Sequence, residues 1–238
     1  MSQIDGRLDF PSDSTRYPGR HEVVDATLTR GSERFPVVVK RTRTTLKQRL
    51  GRTKAARSFE TARALLARGL PTPEPIGFEV REGESWFVAR RVNGAVQVRR
   101  WFLHRDDPSR FAPPELPIPF DEVVRALGRL ARAMHDAGVF FRDFTDGNVL
   151  VTDDGGIRLW LVDLNRVRLY RSPLGRWKRC RDLARPGLNR REDTELLLRA
   201  YFEEEEVPGW ALPRVRLLRR RIVLWDRLKA ALRPWRKR

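Results

Sequence analysis

Two stretches near the start of the chain are rich in apolar residues, above all valine, and are bounded by turn-forming residues, a pattern typical of β-strands. The first stretch covers residues 21–28, and the second covers residues 35–40, where a run of valines ends at Lys40. The turn-forming sequence Arg30-Gly31-Ser32 lies between them. The pattern therefore predicts a β-hairpin with Lys40 at the end of its second strand.

The next segment changes to helical spacing. Apolar residues recur every three or four positions across residues 54–68, which predicts a helix that carries Glu60. Gly69 and the closely spaced prolines after it end this helix, because proline lacks the backbone N–H that a helix needs. Two more strands are predicted over residues 76–81 and 85–91.

Beyond residue 93 the pattern is mainly helical. Residues 121–137 predict a strongly amphipathic helix, and two more helices are predicted over residues 192–202 and 214–238. The apolar face of the first of these consists of Val123, Val124, Leu127, Leu130, Ala131 and Met134.

The predicted fold class is α+β. Residues 1–92 are expected to form a small, mainly antiparallel β lobe with one helix, and residues 93–238 a mainly helical lobe. Within the second lobe, the proline-rich segment 104–119 is expected to be a loop. The basic segment between Asp163 and Glu192 is expected to be irregular.

The composition is that of a globular protein with a large excess of positive charge. Of 238 residues, 40% are hydrophobic and 34% are charged, and the formal net charge is +18. Such a charge favours a polyanionic partner: nucleic acid, an anionic membrane face or a phosphorylated substrate. No nucleic-acid-binding motif is found and the basic residues lack interleaved aromatic residues, which makes nucleic acid the least favoured of the three.

Two segments hold much of the positive charge. Residues 40–57 contain eight Lys or Arg and no acid. This segment is interpreted either as a solvated face or as a rim that binds an anion, and the sequence does not choose between them. Residues 214–238 contain eleven basic residues and one acid, Asp226. This helix either completes the core of the second lobe or lies in an anionic membrane surface, and different parts of it can do both. Its predicted apolar face consists of Leu218, Ile222, Trp225, Leu228, Leu232 and Trp235.

The chain lacks the usual signs of export. Its single cysteine, Cys180, cannot form an internal disulfide, which fits a reducing compartment. The first residues contain acids and no apolar segment, so no signal peptide is expected. No apolar run approaches the roughly 18–20 residues that span a bilayer, so a soluble or peripheral protein is expected.

A few polar residues match the requirements of phosphoryl transfer. That reaction needs a cation on the nucleotide phosphates, oxygen ligands for Mg²⁺ and a carboxylate near the attacking hydroxyl. Lys40 ends a predicted strand, and Glu60 on the next helix is placed to hold it. Asp143 and Asn148 lie five positions apart in one loop, and Asp163 follows a later apolar run.

This order and spacing resemble the two-lobed protein-kinase-like fold. Asp143 and Asn148 match the catalytic-loop pattern D-x-x-x-x-N, Asp163 stands where such folds carry D-F-G, and Lys40 stands on their lysine strand. Within that fold, the sequence is similar to the lipopolysaccharide kinases of the Kdo/WaaP type. The similarity covers over half of the chain and is carried by residues 54–57, 69–75 and 135–151.

The resemblance implies an ATP- and Mg²⁺-dependent kinase that phosphorylates a sugar hydroxyl of the lipopolysaccharide core or a related glycolipid. It implies a cytoplasmic protein bound peripherally to the inner face of the cytoplasmic membrane, with its basic C-terminal helix on the anionic surface. The site residues that it implies are the catalytic pair Arg142 and Asp143, the nucleotide-binding Lys40 and Glu60, and Asn148 and Asp163, which hold Mg²⁺ and through it the nucleotide.

The sequence also departs from the kinase pattern. No G-x-G-x-x-G loop precedes Lys40, and residues 12–19 are the candidate substitute. Phe141 and Thr145 replace residues common in protein kinases, and Ser58 competes with Glu60 for the position of the helix glutamate.

The sequence after Asp163 narrows the class of acceptor substrate. Asn165 stands where protein kinases have glycine, and no activation segment ending in A-P-E follows. These features favour a small-molecule or glycolipid acceptor over a regulated protein substrate. A kinase for a soluble small molecule, an atypical protein kinase and a non-catalytic kinase-like binding protein remain as alternatives.

Overall fold

The structure is a computed structural model, and it describes residues 4–10, 16–17, 22–44, 53–81, 83–203 and 206–232. The chain divides into two compact units. The first comprises Met1–Gly94 together with Trp160–Asn165, and the second comprises Ala95–Leu159 and Arg166–Arg238. The substitute phosphate loop predicted over residues 12–19 lies outside the described residues, apart from 16 and 17.

The described strands of the first unit form an antiparallel sheet with the order β1-β3-β4-β6-β5, and β2 pairs with β3. Their bounds are Arg7–Asp9 (β1), Arg16–Tyr17 (β2), Glu22–Arg30 (β3), Glu33–Arg43 (β4), Pro75–Arg81 (β5) and Glu84–Arg90 (β6). The predicted β3–β4 hairpin is confirmed. Lys40 does not end its strand as predicted, because the pairing of β4 with β6 continues through Thr42 and Ser85.

The apolar side chains of β3 and β4 that are buried lie at alternate positions, as a strand with one face on the core requires. The core under the sheet is formed by Ala26, Leu28, Val37, Val39, Trp86 and Val88. Lys40 lies between Val39 and Arg41 and pairs across the sheet with Val23 and Phe87. Its ammonium group is therefore carried by a strand with neighbours on both sides, which fixes its position.

The predicted helix of the first unit, α1, spans Lys54–Leu66. Its first turn is capped by Thr53, whose Oγ1 accepts a hydrogen bond from the backbone N–H of Ala56 at 3.2 Å. The helix ends before Gly69, which has φ +71° and adopts the left-handed conformation that glycine tolerates best. The Phe59 ring packs on Phe78 of β5 with 5.6 Å between ring centroids.

The segment Trp160–Asn165 packs with the first unit. The backbone N–H of Leu161 donates to Pro71 O at 2.9 Å, and Thr72 Oγ1 donates to Leu161 O at 2.8 Å. The sequence analysis assigned the loop near Asp163 to the lobe of residues 93–238. These hydrogen bonds explain the difference, because they tie the loop to the proline-rich turn after α1.

In its described part, the second unit contains two small sheets and five α-helices. The strands are Val96–Gln97 (β7), Val139–Phe141 (β8), Val149–Asp153 (β9), Ile157–Leu161 (β10) and Val167–Leu169 (β11). One sheet has the order β10-β9-β7, and in the other β11 pairs with β8. The end of β10 belongs to the first unit. The helices are Arg99–Asp106 (α2), Phe120–Asp136 (α3), Arg176–Leu183 (α4), Arg191–Tyr201 (α5) and Ala211–Leu232 (α6).

The amphipathic helix α3 is confirmed, and the whole of its predicted apolar face is buried. It packs closely on α5 at Gly128. A Cβ atom at Gly128 would lie 2.6 Å from Leu197 O and 2.9 Å from Ala200 Cβ. Glycine is therefore required here by the close approach of the two helices.

Two predictions differ from the structure. The proline-rich loop begins later than predicted, because α2 continues to Asp106 and buries Trp101 and Phe102, and residues 107–119 are neither helix nor strand. The segment between Asp163 and Glu192 contains β11 and α4 instead of being irregular. Both elements are rich in arginine and lysine, which interrupt the spacing of apolar residues. Only a few buried side chains hold each element in the fold, and the sequence pattern therefore did not indicate them.

The C-terminal helix α6 begins inside the second unit and emerges from it. Ala211 and Val215 are buried, whereas Leu224 and Trp225 are about 60% exposed. Trp235 of the predicted apolar face lies outside the described residues. Within the part of the chain that the structure describes, no helix combines the length and hydropathy needed to cross a membrane.

Candidate functional site

The first unit brings Lys40 and Asp163 together. Lys40 Nζ lies 2.6 Å from Asp163 Oδ1, although the two residues are 123 positions apart in the chain. The lysine side chain is 14% exposed and the aspartate side chain 42% exposed, so the pair opens to solvent on the carboxylate side. The lysine of the predicted strand thus meets the carboxylate of the predicted metal loop.

The backbone at Asp163 adopts an unusual conformation. Its φ angle is +54°, in the left-handed region that residues other than glycine rarely occupy. Asn165 Nδ2 donates to Asp163 Oδ1 at 3.0 Å. Strained backbone of this kind clusters at functional sites, where the surroundings hold it in place.

The helix α1 is linked to this loop through Ser58. Ser58 Oγ donates to Asn165 Oδ1 at 3.1 Å, and Asn165 in turn binds Asp163. The sequence analysis noted that Ser58 competes with Glu60 for the helix position facing Lys40. The role of Glu60 stays a prediction.

The second unit holds the loop that contains Asp143 and Asn148. Asn148 Nδ2 donates to the backbone oxygen of Asp143 at 2.8 Å, and the N–H of Thr145 donates to the same oxygen at 2.7 Å. The loop is therefore closed on itself across the five-residue spacing. Because the amide nitrogen of Asn148 is used in this bond, its Oδ1 is directed away and can act as an oxygen ligand.

Arg166 contacts the carboxylate of Asp143, and the sequence analysis missed it. Arg166 Nη1 donates to Asp143 Oδ1 at 2.8 Å. β11 begins directly after Arg166, and Val167 of β11 pairs with Phe141 just before the loop. The pairing of β8 and β11 therefore fixes the distance between the arginine and the aspartate.

A second loop carboxylate, Asp146, was also missed. Its Oδ1 accepts from the backbone N–H of Gly187 at 3.1 Å, and its Oδ2 lies 3.5 Å from Arg99 Nε. These contacts connect the loop to α2 and to the segment after α4. Asp146 therefore fastens the loop that carries Asp143.

Asp182 of α4 anchors the loop that carries Asp143. Asp182 Oδ2 accepts a hydrogen bond from the backbone N–H of Phe141 at 2.7 Å, and it lies 3.5 Å from His135 Nε2. Both side chains are almost fully buried. Burial lowers the pKa of His135 and raises the pKa of Asp182, since each group loses the water that would stabilise its charge.

The far side of His135 belongs to the same network. Tyr201 Oη lies 3.0 Å from His135 Nδ1 and accepts a hydrogen bond from Arg179 Nη1 at 2.8 Å. The tyrosine proton is thus directed to Nδ1, and the neutral imidazole carries its own proton on Nε2, facing Asp182. His135 is therefore a buried residue that packs at the C-terminal end of α3.

The described residues contain no cluster of three or more His, Cys, Asp or Glu side chains able to bind a metal ion. Asp163 lies in the first unit and Asn148 in the second, and their role as Mg²⁺ ligands stays a prediction. Each carries an oxygen donor of the kind that Mg²⁺ prefers.

Comparisons with known proteins show which sequences and which fold this chain resembles. The sequence model of the "Lipopolysaccharide kinase (Kdo/WaaP) family" matches residues 20–201. A "3-deoxy-D-manno-octulosonic acid kinase" of Xanthomonas campestris pv. campestris (strain B100) is 34% identical over 164 residues, which are 63% of this chain and 60% of that protein. The protein of the same name from Xanthomonas euvesicatoria pv. vesicatoria (strain 85-10) is 33% identical over 129 residues, 54% of this chain and 47% of that protein.

A solved structure of "WaaP in complex with acyl carrier protein" matches with a TM-score of 0.55 and 20% identity, and covers 94% of this chain and 98% of that one. This likeness shows the protein-kinase-like fold and confirms the predicted α+β class. The chain spans about 60% of the length of the first of these kinases. The family model covers well over half of the chain, so the chain belongs to the lipopolysaccharide kinase (Kdo/WaaP) family.

Proposed function

We propose that the protein is an ATP-dependent kinase that transfers the γ-phosphate to a sugar hydroxyl of the lipopolysaccharide core or a related glycolipid. The observation that carries the proposal is the 2.6 Å contact between Lys40 Nζ and Asp163 Oδ1. A cation and a carboxylate that meet in this way are the groups that kinases use on the nucleotide phosphates and on Mg²⁺. The curated relatives are named as kinases of an acidic sugar, and we propose an acceptor of that class.

The proposed roles are those that the resemblance to kinases implies, and the 2.6 Å contact between Lys40 and Asp163 supports them. Lys40 binds the α- and β-phosphates of ATP. Asp163 and Asn148 each supply an oxygen to Mg²⁺, which when bound neutralises charge on the phosphates. Glu60 supports Lys40 from α1.

Asp143 orients the acceptor hydroxyl and accepts its proton. In the transfer, the bond between the γ-phosphorus and its bridging oxygen to ADP breaks, and a bond to the acceptor oxygen forms. Arg166 Nη1 donates to Oδ1 of Asp143 at 2.8 Å, which fixes the orientation of the carboxylate. Arg142 lies beside Asp143 as the second member of the catalytic pair.

The first test is γ-phosphate transfer to lipopolysaccharide core fragments and a panel of soluble sugars. Asp143→Asn should lower transfer by at least about a hundredfold, since proton transfer of this kind contributes roughly 10²–10⁴. It should leave ATP binding nearly unchanged. Asp154→Asn makes the same chemical change at an exposed turn and should have no effect.

A second test separates nucleotide binding from catalysis. Asp163→Ala should weaken the binding of ATP in the presence of Mg²⁺, and the loss should be smaller when Mg²⁺ is removed by a chelator. Unchanged binding would contradict the role of Asp163. No transfer to any acceptor by the wild type would favour a kinase-like binding protein.

We also propose that the exposed half of α6 attaches to an anionic membrane surface. Leu224, Trp225, Leu228 and Leu232 are between 47% and 61% exposed, and the helix carries exposed arginines among them. Apolar side chains enter the interface of a bilayer while arginine pairs with lipid phosphates. The N-terminal turns of α6 remain in the core through Ala211 and Val215.

A further inference from the structure

The helix α6 is connected to the loop of Asp143 by a chain of hydrogen bonds within the second unit. The middle of that chain is the segment 185–189, which lies between α4 and α5. The backbone N–H of Gly187 donates to Asp146 Oδ1 at 3.1 Å. Asp146 follows Asp143 closely in the same loop, so this bond attaches the segment to the loop that carries the proposed catalytic carboxylate.

Arg219 of α6 holds both ends of the same segment. Its Nη1 donates to Arg185 O at 3.3 Å, and its Nη2 donates to Asn189 Oδ1 at 3.2 Å. Gly187 lies midway between these two acceptors in the chain. A single planar guanidinium group therefore constrains the two ends of the segment, and with them the position of the N–H that reaches Asp146.

The segment passes close to its neighbours and has little room to shift. A Cβ atom at Gly187 would lie 3.2 Å from Asp146 Oδ1 and 3.6 Å from a ring carbon of Phe102 in α2. Asn189 Nδ2 also donates to Asp106 Oδ2, at the end of α2, at 2.7 Å. Closely packed groups pass a displacement on to their neighbours, so a shift of the segment is expected to move Asp146.

The contacts of Arg219 are made at some cost to stability. The side chain is half-buried, and its Nε is buried without a hydrogen-bond partner among the described residues. Burial lowers the pKa of Arg219, and the nearby carboxylates of Asp146 and Asp106 act in the opposite direction. The guanidinium group thus lies within electrostatic reach of Asp146. A buried N–H without an acceptor is unfavourable, so stability alone does not explain an arginine at this position.

We propose that Arg219 is a positioning residue for the catalytic loop, which it holds in place through the segment 185–189 and Asp146. The inference rests on the proposed function, in which Asp143 orients the acceptor hydroxyl. The role of Arg219 is indirect, since its hydrogen bonds go to the segment and not to Asp143. A misplacement of about 1 Å at a catalytic group can lower a rate by about a hundredfold, so an indirect contact of this kind bears on kcat.

Amide hydrogen exchange of the full chain, followed by mass spectrometry, tests this connection without requiring catalysis. Arg219→Gln removes the charge and leaves a shorter side chain that cannot reach both acceptors. Exchange should rise about tenfold or more over residues 143–148 and 185–189, because local opening exposes their amides, and should stay at the wild-type level over α3. Arg199→Gln removes the same charge from an exposed position of α5 and should leave exchange over both segments unchanged.

Asn189→Ala is a milder variant, because it removes one of the two acceptors and leaves Arg219 in place. It should raise exchange over the same two segments by a smaller factor. Exchange over residues 143–148 that stays at the wild-type level in both variants overturns the positioning role. An equal rise over α3 would show a general structural effect of Arg219 and would overturn the role as well.

Phosphate transfer to lipopolysaccharide core fragments gives the second readout. Arg219→Gln and Asp146→Ala should each lower kcat about tenfold and leave KM for ATP near its wild-type value, and Arg219→Lys should recover part of kcat. The double variant should also lose about tenfold, because two residues that act through one network are not additive. A loss of about a hundredfold in the double variant would overturn the connection through Asp146. Increased exchange in Arg219→Gln without any transfer by the wild type would overturn the proposed kinase function and still support the connection between α6 and the loop.

Discussion

Replacing Asp182 with alanine tests whether this buried carboxylate holds the catalytic loop. Its side chain is 1% exposed, and it accepts the backbone N–H of Phe141 at 2.7 Å. Alanine would leave that N–H buried without an acceptor, whereas His135 Nε2 has no hydrogen-bond partner even in the wild type. A buried donor without a partner costs about 1–3 kcal/mol.

The total for Asp182→Ala is expected to be about 2–3 kcal/mol. The unpaired N–H of Phe141 accounts for most of it, because the contact from His135 Nε2 is long at 3.5 Å. The wild-type carboxyl also carries a cost of burial, which raises its pKa, and alanine removes that cost. For a chain of this size about 1 kcal/mol shifts Tm by roughly 2–4 °C, so Tm should fall by roughly 4–12 °C.

Asp182→Asn is the matched variant. Its amide oxygen can still accept from Phe141, so its loss should stay under about 1 kcal/mol. Thermal and urea unfolding followed by circular dichroism measure both variants at neutral pH. Equal losses in the alanine and asparagine variants would refute the reasoning, because the hydrogen bond to Phe141 would then not be the cause.

Three further predictions concern other parts of the fold. Gly128→Ala should destabilise the protein by about 1–3 kcal/mol in urea unfolding, because its Cβ would lie 2.6 Å from a backbone oxygen of α5, whereas Gly209→Ala meets no atom within 4 Å and should be nearly neutral. Arg166→Ala should lower kcat at least about tenfold with little change in KM for ATP or in Tm. Arg166→Lys keeps the positive charge and should retain part of kcat. An equal loss of kcat in both variants would contradict a role for the charge. Trp225→Ser should weaken binding to anionic vesicles and not to neutral ones, while Leu66→Ser, an exposed apolar residue on α1, should bind as the wild type does.

The sequence alone determined the elements whose signal is local. The apolar run that ends at Lys40 and the turn before it predicted the hairpin, and the spacing of apolar residues predicted α1 and α3, because such patterns depend only on near neighbours. The pattern D-x-x-x-x-N likewise found the loop of Asp143 and Asn148. It is closed by the hydrogen bond between these two residues, which span only five positions.

The tertiary structure decided what holds that loop and what surrounds it. Arg166 reaches Asp143 from 23 positions away, Asp182 reaches Phe141 from 41, and Ser58 meets Asn165 across 107. No local pattern marks these residues, since a polar side chain at an ordinary position gains its role only when folding places a partner beside it.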